Sequence, residues 1–462
     1  MAHFILKELY DNFKNHVDKD ITVKGWTKSI RKSKNISFLI INDGSSIDDF
    51  QIIIDNDKEC ASLVDEITIG SAVGITGLVV ESQGKQDVEM QAKSIEIFGK
   101  TDETYPLQKK STSVEFLREK AHLRARTNTF SNVFRVRHEL AMATHNFFNN
   151  KSFYYLHTPI ITTSDCEGAG ELFRVSTLDP QKLPLTDKGL VDYSEDYFGQ
   201  EAFLAVSGQL QAESFALSMG RVYTFGPTFR SENSQTSRHL SEFWMIEPEM
   251  AFMDLEQDAQ LAQEFLQHLI KHALEKCPKE LAFFDRFYQK GLIQNLEHVA
   301  NSDFEKITYT DAVNELAKSS KKFEYKVQWG ADLQTEHERF LTEECFKKPV
   351  IVTDYPKDIK AFYMKQSEDG KTVRAMDVLV PGVGEIIGGS QREDDLGLLK
   401  QRMKEMNLSE QEYWWYLELR KFGGAPHSGF GLGFERAIMY ITGMSNIRDV
   451  IAFPRFPKHA QF

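Results

Sequence analysis

The sequence predicts an α+β chain. An N-terminal β-barrel of the OB type is followed by a larger domain built on an antiparallel β-sheet flanked by helices. Three observations predict it. Residues 21–100 hold five short strand patterns with one helical stretch after the third, the order of an OB barrel. From about residue 130 helical periodicity sets in, and strands recur without the regular strand–helix alternation of a parallel sheet. The length of 462 residues corresponds to about three domains of roughly 150 residues.

In chain order, the strand patterns of the barrel are Ile21–Trp26, Ile36–Ile41, Phe50–Ile54, Ala72–Val80 and Val88–Phe98. Asn42-Asp43-Gly44 is a turn signal, and a short helix fits near 58–66. Residues 1–100 are assigned to this domain. Residues 24–34 carry Lys24, Lys28, Arg31, Lys32 and Lys34 and no acid. They fit a solvated hairpin edge guarded by charge. They fit equally a basic face for single-stranded nucleic acid, with Phe38 and Gln51 beside it.

Residues 101–125 are polar, with Pro106 and Lys109-Lys110, and read as a linker. Residues 126–462 form the second domain. Val133, Val136, Leu140, Ala143 and Phe147 mark a helix over Val133–Asn149, and Phe153–Thr163 is extended chain broken by Pro159. Leu255–Lys276 is an amphipathic helix. Residues 277–345 are mixed and charged and read as a helical insertion. Strand patterns return at 349–352 and at Ala375–Val380.

Composition narrows the class. Hydrophobic residues make up 41% and the net charge is −13, which excludes wholesale disorder, a collagen-like repeat and a disulfide miniprotein. The acidic balance argues against non-specific coating of nucleic acid. No apolar run approaches the roughly 20 residues that cross a bilayer, and Met1–Glu8 lacks the pattern of a secretory leader. Cys60, Cys166, Cys277 and Cys345 lie far apart and read as reduced thiols of a cytoplasmic protein.

Three segments carry chemistry. The first holds Arg230-Ser231-Glu232, then Arg238-His239-Leu240, then Phe243 and Glu247-Pro248-Glu249. A phosphate needs a planar, permanently charged donor fork, which Arg230 supplies. A purine needs a flat partner, Phe243, and an acceptor for its amino group, Glu232. An isolated Arg-x-Glu reads more simply as an exposed cross-strand pair. The second segment sets Asp377 and Glu385 near Gly382, Gly384, Gly388 and Gly389. Two carboxylates at facing strand ends suit Mg²⁺ on substrate phosphates, or a tight turn with solvated acids. The third, Gly429 to Arg436, matches a Gly-x-Gly-x-Gly phosphate loop entering a helix. Arg436 in the first helical turn opposes the helix dipole. A nearby anion explains it as well as an arginine turned to solvent does.

In this order and spacing, behind the barrel, the three segments resemble the signature motifs of the class II aminoacyl-tRNA synthetases. The helix ending near Asn150 with Phe153–Thr163 resembles motif 1, the dimer-interface motif. Arg230–Glu249 resembles motif 2, and Gly429–Arg436 resembles motif 3. The barrel is similar to the anticodon-binding domain of the aspartyl, asparaginyl and lysyl subgroup. Arg230-Ser231-Glu232-Asn233-Ser234 and Gly388–Asp394 are most similar to its asparaginyl members.

The resemblance implies a homodimer, not bound to membranes, that activates asparagine with ATP and Mg²⁺ and transfers it to tRNA(Asn). It implies that Arg230 bridges the amino-acid carboxylate and the α-phosphate, with Glu232 and Phe243 on the adenine. Arg238 and His239 meet the β- and γ-phosphates, Arg436 meets the γ-phosphate or the other adenine face, and Asp377 and Glu385 hold Mg²⁺. Leu240, Gly433, Phe434 and Glu435 complete the ATP site. Glu167 and Gln209 hold the α-ammonium. Ala212 stands where aspartyl enzymes carry a lysine, so Arg392 donates to the amide oxygen and Glu247 accepts from the amide nitrogen. Phe38 and Gln51 meet the anticodon. Three alternatives stay open: an aspartyl enzyme, including one that charges both tRNAs, a catalytically dead RNA-binding paralogue, and a tRNA-independent amide ligase.

Overall fold

Five strands close into a barrel in the order β1-β2-β3-β5-β4. They are β1 Asp20–Lys32, β2 Ile36–Asn42, β3 Phe50–Asp55, β4 Ala72–Glu81 and β5 Val88–Gly99. The computed structural model describes residues 3–84, 86–108, 112–164, 172–234 and 236–462. Alternation does the sorting: Leu39, Ile41, Ile52, Ile54, Val73 and Ile75 fill the barrel, while Phe38 and Gln51 stay on the outer face. β1 runs six residues past Trp26 and pairs with β2 as far as Lys32 against Ser37. Its basic residues lie outside the barrel interior, where charge costs nothing in burial. At Gly77 a Cβ would stand 2.2 Å from the Gln91 carbonyl oxygen, so only glycine lets β4 and β5 close there. The helical stretch after β3 is a 3₁₀ segment, Glu59–Glu66.

The chain divides into two compact units, Met1–Asn132 and Val133–Phe462. The second unit is organised by an eight-stranded sheet in the order β12-β13-β14-β15-β16-β11-β10-β6. Its strands are β6 Tyr154–Tyr155, β10 Arg221–Phe229, β11 Glu242–Ala251, β12 Glu305–Thr308, β13 Val350–Pro356, β14 Thr372–Val380, β15 Gly384–Gln391 and β16 His427–Gly433. β7 Ile161–Thr162, β8 Arg174–Val175 and β9 Ala202–Leu204 form a separate small sheet. The six central strands of the large sheet are antiparallel, as expected. Its two edge pairings, β12 with β13 and β6 with β10, are parallel, so the sheet is mixed. Residues 277–345 hold helices Pro278–Phe287, Leu292–Asn301, Tyr309–Lys318 and Thr335–Arg339. They also supply β12, so this segment completes the sheet edge as well as adding helices.

The apolar stripe of helix Leu255–Lys276 (Leu255, Ala259, Ala262, Leu266, Leu269 and Ala273) is fully buried and belongs to the main core with Ile246, Met250, Ile387 and Leu432. On β11 those core residues alternate with Phe243, Met245, Glu247 and Glu249, which the period of two turns to the opposite face. That face carries the site. The helix begins on a capping box: the Asp254 side chain accepts the Gln257 N–H at 2.9 Å, and the Gln257 side chain accepts the Asp254 N–H at 3.1 Å. Asp254→Ala should therefore lower the unfolding free energy by about 1 kcal/mol, read from urea unfolding followed by circular dichroism.

Candidate active site

Two adjoining cavities open on the odd-numbered face of β11. One has a volume of about 210 Å³ and is lined by Arg230, Glu232, Arg238, His239, Leu240, Phe243, Gly433, Glu435 and Arg436. The other, of about 240 Å³, is lined by Gln209, Glu247, Glu249, Asp377 and Arg392. Arg230, Met245, Glu385 and Gly431 line both. Arg230, directly after β10, therefore stands at the junction.

In the first cavity the Arg230 guanidinium lies 5.5 Å from the Phe243 ring centroid. Its backbone N–H donates to the Ser241 carbonyl at 3.0 Å, which pins the start of the loop to its end. Glu232 and His239 face each other at 3.9 Å. Arg436 donates to the Glu385 carbonyl at 3.1 Å and stands 3.6 Å from its carboxylate, which supplies the anion expected near the helix start. A flat aromatic face, a guanidinium at either end and a carboxylate at the rim suit a planar heterocycle joined to a polyphosphate.

Two expectations change here. Gly429, Gly431 and Gly433 do not form a loop: they lie on β16, at alternate positions that leave the cavity floor bare. A Cβ at Gly429 would meet Glu249 Oε1 at 2.4 Å. Phe434 does not line the cavity. It is 1% exposed and packs edge-on against Phe225 at 4.9 Å, so its ring belongs to the core. Glu435 reaches the cavity wall, but its carboxylate is taken by the Trp244 N–H at 2.9 Å and by Arg137 at 2.8 Å.

Asp377 on β14 and Glu385 on β15 converge above Gly388. A Cβ there would stand 3.2 Å from Glu385 Oε1 and 3.5 Å from Asp377 Oδ1. Lys360 donates to both Asp377 oxygens at 3.1 and 3.3 Å. Glu338, which no sequence pattern marked, accepts the Glu385 N–H through Oε2 at 3.2 Å. Burial, then the charge of Glu385, raises the Glu338 carboxyl to about 7. Burial, then Asp377, raises that of Glu385. Negative charge is thus concentrated beyond what Lys360 and Arg436 offset. Among the described residues no cluster of three His, Cys, Asp or Glu side chains could hold a metal ion. Two carboxylates fit a Mg²⁺ that takes its remaining oxygens from a substrate.

The second cavity ends on buried charges. Arg392 donates to Glu249 through Nε at 3.2 Å and Nη2 at 2.5 Å, and to Ser390 Oγ at 2.7 Å. Glu213 is fully buried and accepts from Tyr416 at 2.7 Å, Arg420 at 2.8 Å, His427 at 2.9 Å and Gln209 at 3.1 Å. Burial would raise its carboxyl, but the Arg420 charge and the His427 hydrogen bond outweigh it and hold the group well below the usual carboxylate range. Glu247 is committed elsewhere. Its oxygens accept from Ser207 Oγ, from the Gly208 N–H at 3.0 Å and from Thr224 at 3.1 Å, so it fastens the turn before Gln209. Glu249, two residues on and on the same face, is the carboxylate joined to Arg392. That spacing was the signal in the sequence. Glu167 lies outside the described residues. Ala212 is buried against Ala216 and Val222.

On the barrel, Phe38 on β2 has the Arg31 guanidinium 6.0 Å from its ring centroid. Gln51 on β3 donates to Glu89 at 2.7 Å, and Ser82 donates to the same oxygen at 3.1 Å. The outer face thus holds an aromatic ring, cations and a fixed amide–carboxylate pair, the elements of a stacking and edge-reading surface for nucleic acid. Glu89 was not evident from sequence because its partner lies 38 residues away.

Comparison with known proteins gives a consistent result. The family model "tRNA synthetases class II (D, K and N)" matches residues 113–457, and the model "OB-fold nucleic acid binding domain" matches residues 21–98. The chain is 57% identical over the full length of both chains to an asparagine–tRNA ligase of Alkaliphilus oremlandii. It is 56% identical, again over the full length of both, to one of Cytophaga hutchinsonii. Its fold is similar to a crystal structure of asparaginyl-tRNA synthetase from Pyrococcus horikoshii complexed with asparaginyl-adenylate. That TM-score is 0.87 at 31% identity, covering 100% of this chain and 99% of the other. The Entamoeba histolytica asparaginyl-tRNA synthetase with the same ligand gives a TM-score of 0.82 at 26% identity, covering 96% and 97%.

Behind the Arg392–Glu249 pair, helix Leu255–Lys276 carries Asp258, fully buried, with neither carboxyl oxygen hydrogen-bonded among the described residues. Burial raises its carboxyl well above the ordinary value of 3.8. The folded protein therefore keeps this proton at pH values where the unfolded chain has lost it, and the contribution of Asp258 to stability falls as pH rises above about 4. Asp258→Asn should remove that loss. Its unfolding free energy should exceed wild type by more at pH 7.5 than at pH 5, by about 1.4 kcal/mol for each unit of raised pKa within the interval. Parallel urea titrations at the two pH values measure the difference.

Proposed function

The chain belongs to the class II tRNA synthetases of the D, K and N group, and on that premise we propose that it is an enzyme attaching asparagine to tRNA(Asn) with ATP, through an asparaginyl-adenylate. The observation that carries the reading is the junction at Arg230. One cavity is shaped for a planar base and phosphates, and the other ends on the Arg392–Glu249 pair. A substrate carboxylate in the second cavity meets an α-phosphate from the first at that arginine.

The chemistry is in-line displacement. A carboxylate oxygen of asparagine bonds to the α-phosphorus, the bond to the bridging oxygen breaks, and the electron pair leaves on pyrophosphate. No enzyme nucleophile is required, so the site acts by positioning and charge neutralisation. Arg230 spans the carboxylate and the α-phosphate. Phe243 stacks on adenine and Glu232 accepts from its amino group. Arg238, His239 and Arg436 meet the outer phosphates. Asp377 and Glu385 hold Mg²⁺, which neutralises phosphate charge when bound. Glu338 orients Glu385 through its backbone. Gln209, with Glu167, holds the α-ammonium.

The side-chain amide reads as donor and acceptor together. Arg392 donates to its oxygen, and Glu249, in place of Glu247, accepts from its nitrogen. An aspartate would add a carboxylate beside Glu249 and Glu213, a repulsive contact in a desolvated pocket. In the barrel, Phe38 stacks on an anticodon base and Gln51, held by Glu89, reads its edge. The unit carrying the site is further proposed to pair with a second copy across the β6 edge, where Tyr154 and Tyr155 are exposed. No helix among the described residues is long and apolar enough to cross a membrane, and the cytoplasm, where tRNA is charged, is the proposed location.

Charging total tRNA with labelled asparagine and labelled aspartate in parallel tests the reaction. Asparagine should be preferred by as much as ~10⁴-fold, and equal charging would overturn the assignment in favour of a non-discriminating aspartyl enzyme. Phe38→Ala should raise KM for tRNA by a factor corresponding to roughly 1–3 kcal/mol, with asparagine-dependent ATP–pyrophosphate exchange retained. Loss of exchange as well would argue against a role confined to the anticodon.

A further inference from the structure

Glu213 has no access to water and lines neither of the two site cavities, yet its two oxygens serve different partners. Oε2 takes three donors: the Tyr416 hydroxyl at 2.7 Å, Arg420 Nη2 at 2.8 Å and His427 Nε2 at 2.9 Å. Oε1 takes one, the side-chain amide of Gln209 at 3.1 Å. Arg392 Nε stands 3.9 Å from Oε1, beyond hydrogen-bond reach. Arg420 also donates to the Tyr416 hydroxyl at 2.8 Å, which leaves the tyrosine's one hydrogen for Glu213.

Gln209 opens helix Gln209–Met219, and Glu213 follows one turn later on the same helix face. A glutamine amide has a donor end and an acceptor end, and turning it over changes its chemistry without changing its shape. An ionised carboxylate only accepts, so Glu213 takes the NH2 end. The carbonyl oxygen is then the end left for the second cavity, which Gln209 lines. A carbonyl oxygen there accepts from an ammonium, whereas an NH2 group in its place repels one.

We infer that Glu213 is a positioning residue for the amino-acid substrate: it holds the Gln209 amide in the one sense that offers an acceptor to the α-ammonium. The inference rests on the proposed activity, which places the α-ammonium at Gln209. It has a consequence at the level of single atoms. Glu213→Gln keeps the shape of the side chain and turns one oxygen into NH2. The three donors around the Oε2 position require the remaining oxygen there. The new NH2 therefore faces Gln209, which turns over to accept from it. The Gln209 NH2 then points into the cavity, donor against donor with the ammonium.

Two ligands are titrated calorimetrically into the full-length protein. One is a sulfamoyl analogue of asparaginyl-adenylate. The other is its counterpart built on succinamic acid, in which hydrogen replaces the α-amino group. Wild type should prefer the ammonium-bearing analogue, and in Glu213→Gln that preference should fall about tenfold, the size of a lost charge-assisted hydrogen bond. In asparagine-dependent ATP–pyrophosphate exchange, KM for asparagine should rise by a larger factor than KM for ATP. Adding Gln209→Glu to Glu213→Gln returns an acceptor to the cavity and keeps the net charge of wild type, so the double variant should regain the preference. A purely structural role for Glu213 weakens both analogues alike. An unchanged ratio in Glu213→Gln would therefore overturn the inference, and so would a preference that the double variant does not regain. If Glu213→Gln unfolds, the double variant decides alone by the same ratio. Wild-type protein without asparagine-dependent exchange would instead remove the proposed activity, while the ratio of the two analogues, read by binding, still decides the role of Glu213.

Discussion

A carboxylate without access to water fixes one side of the active site. Glu213 gathers a tyrosine hydroxyl, a guanidinium, an imidazole and an amide at hydrogen-bond distance. The partners come from three elements: Gln209 from the helix of Glu213 itself, Tyr416 and Arg420 from helix Trp414–Lys421, and His427 from β16. Breaking a buried charge network by losing one member leaves the others desolvated and unpaired, at a cost of roughly 3–5 kcal/mol. The network therefore locks two helices and a strand into one arrangement, and Arg392 stands 3.9 Å from the same carboxylate. The amide-reading pair proposed above is thus backed by Glu213, Tyr416, Arg420 and His427, which do not themselves line its pocket, and by Gln209, which does.

The sheet supplies the other constraint. Along β11 every second side chain faces the cavities and the rest join the core, so one strand delivers Phe243, Met245, Glu247 and Glu249 in line. On β16 the same alternation places glycines on the cavity face and Phe430 and Leu432 in the core. The bare backbone of one strand leaves room for the long carboxylates and the arginine of its neighbours. A phosphate loop achieves close approach by bending, whereas this sheet achieves it by leaving side chains out.

Charge is distributed against the average. A chain with net charge −13 concentrates Arg230, Arg238 and Arg436 around one cavity, and carboxylates at Asp377, Glu385 and Glu338 beside it. A reaction that moves a phosphoryl centre between two oxygens needs such fixed charges more than it needs a nucleophile. The barrel carries a separate cationic face around Phe38. The acidic remainder disfavours indiscriminate nucleic-acid binding, which leaves recognition to those local features.

Much of this was legible in the chain alone. Alternating residues located the barrel strands and their inner faces, because burial on one side of a strand imposes a period of two. The stripe from Leu255 to Ala273 located the helix under the sheet for the matching reason at 3.6 residues. Arg230, Phe243, Asp377, Glu385 and Arg436 stood out because few other residue types meet the demands of phosphates and a purine. What the sequence could not hold was pairing across distance. Glu213 with Arg420 and His427, Gln51 with Glu89, and Glu338 with Glu385 are each separated by tens to hundreds of residues, and no local pattern joins them. Nor could it tell Glu247 from Glu249. Both face the cavity, and only the tertiary placement of Ser207, Gly208 and Thr224 around one left the other for Arg392. Local periodicity records which face a residue shows, whereas the partner it meets is decided when the faces close on each other.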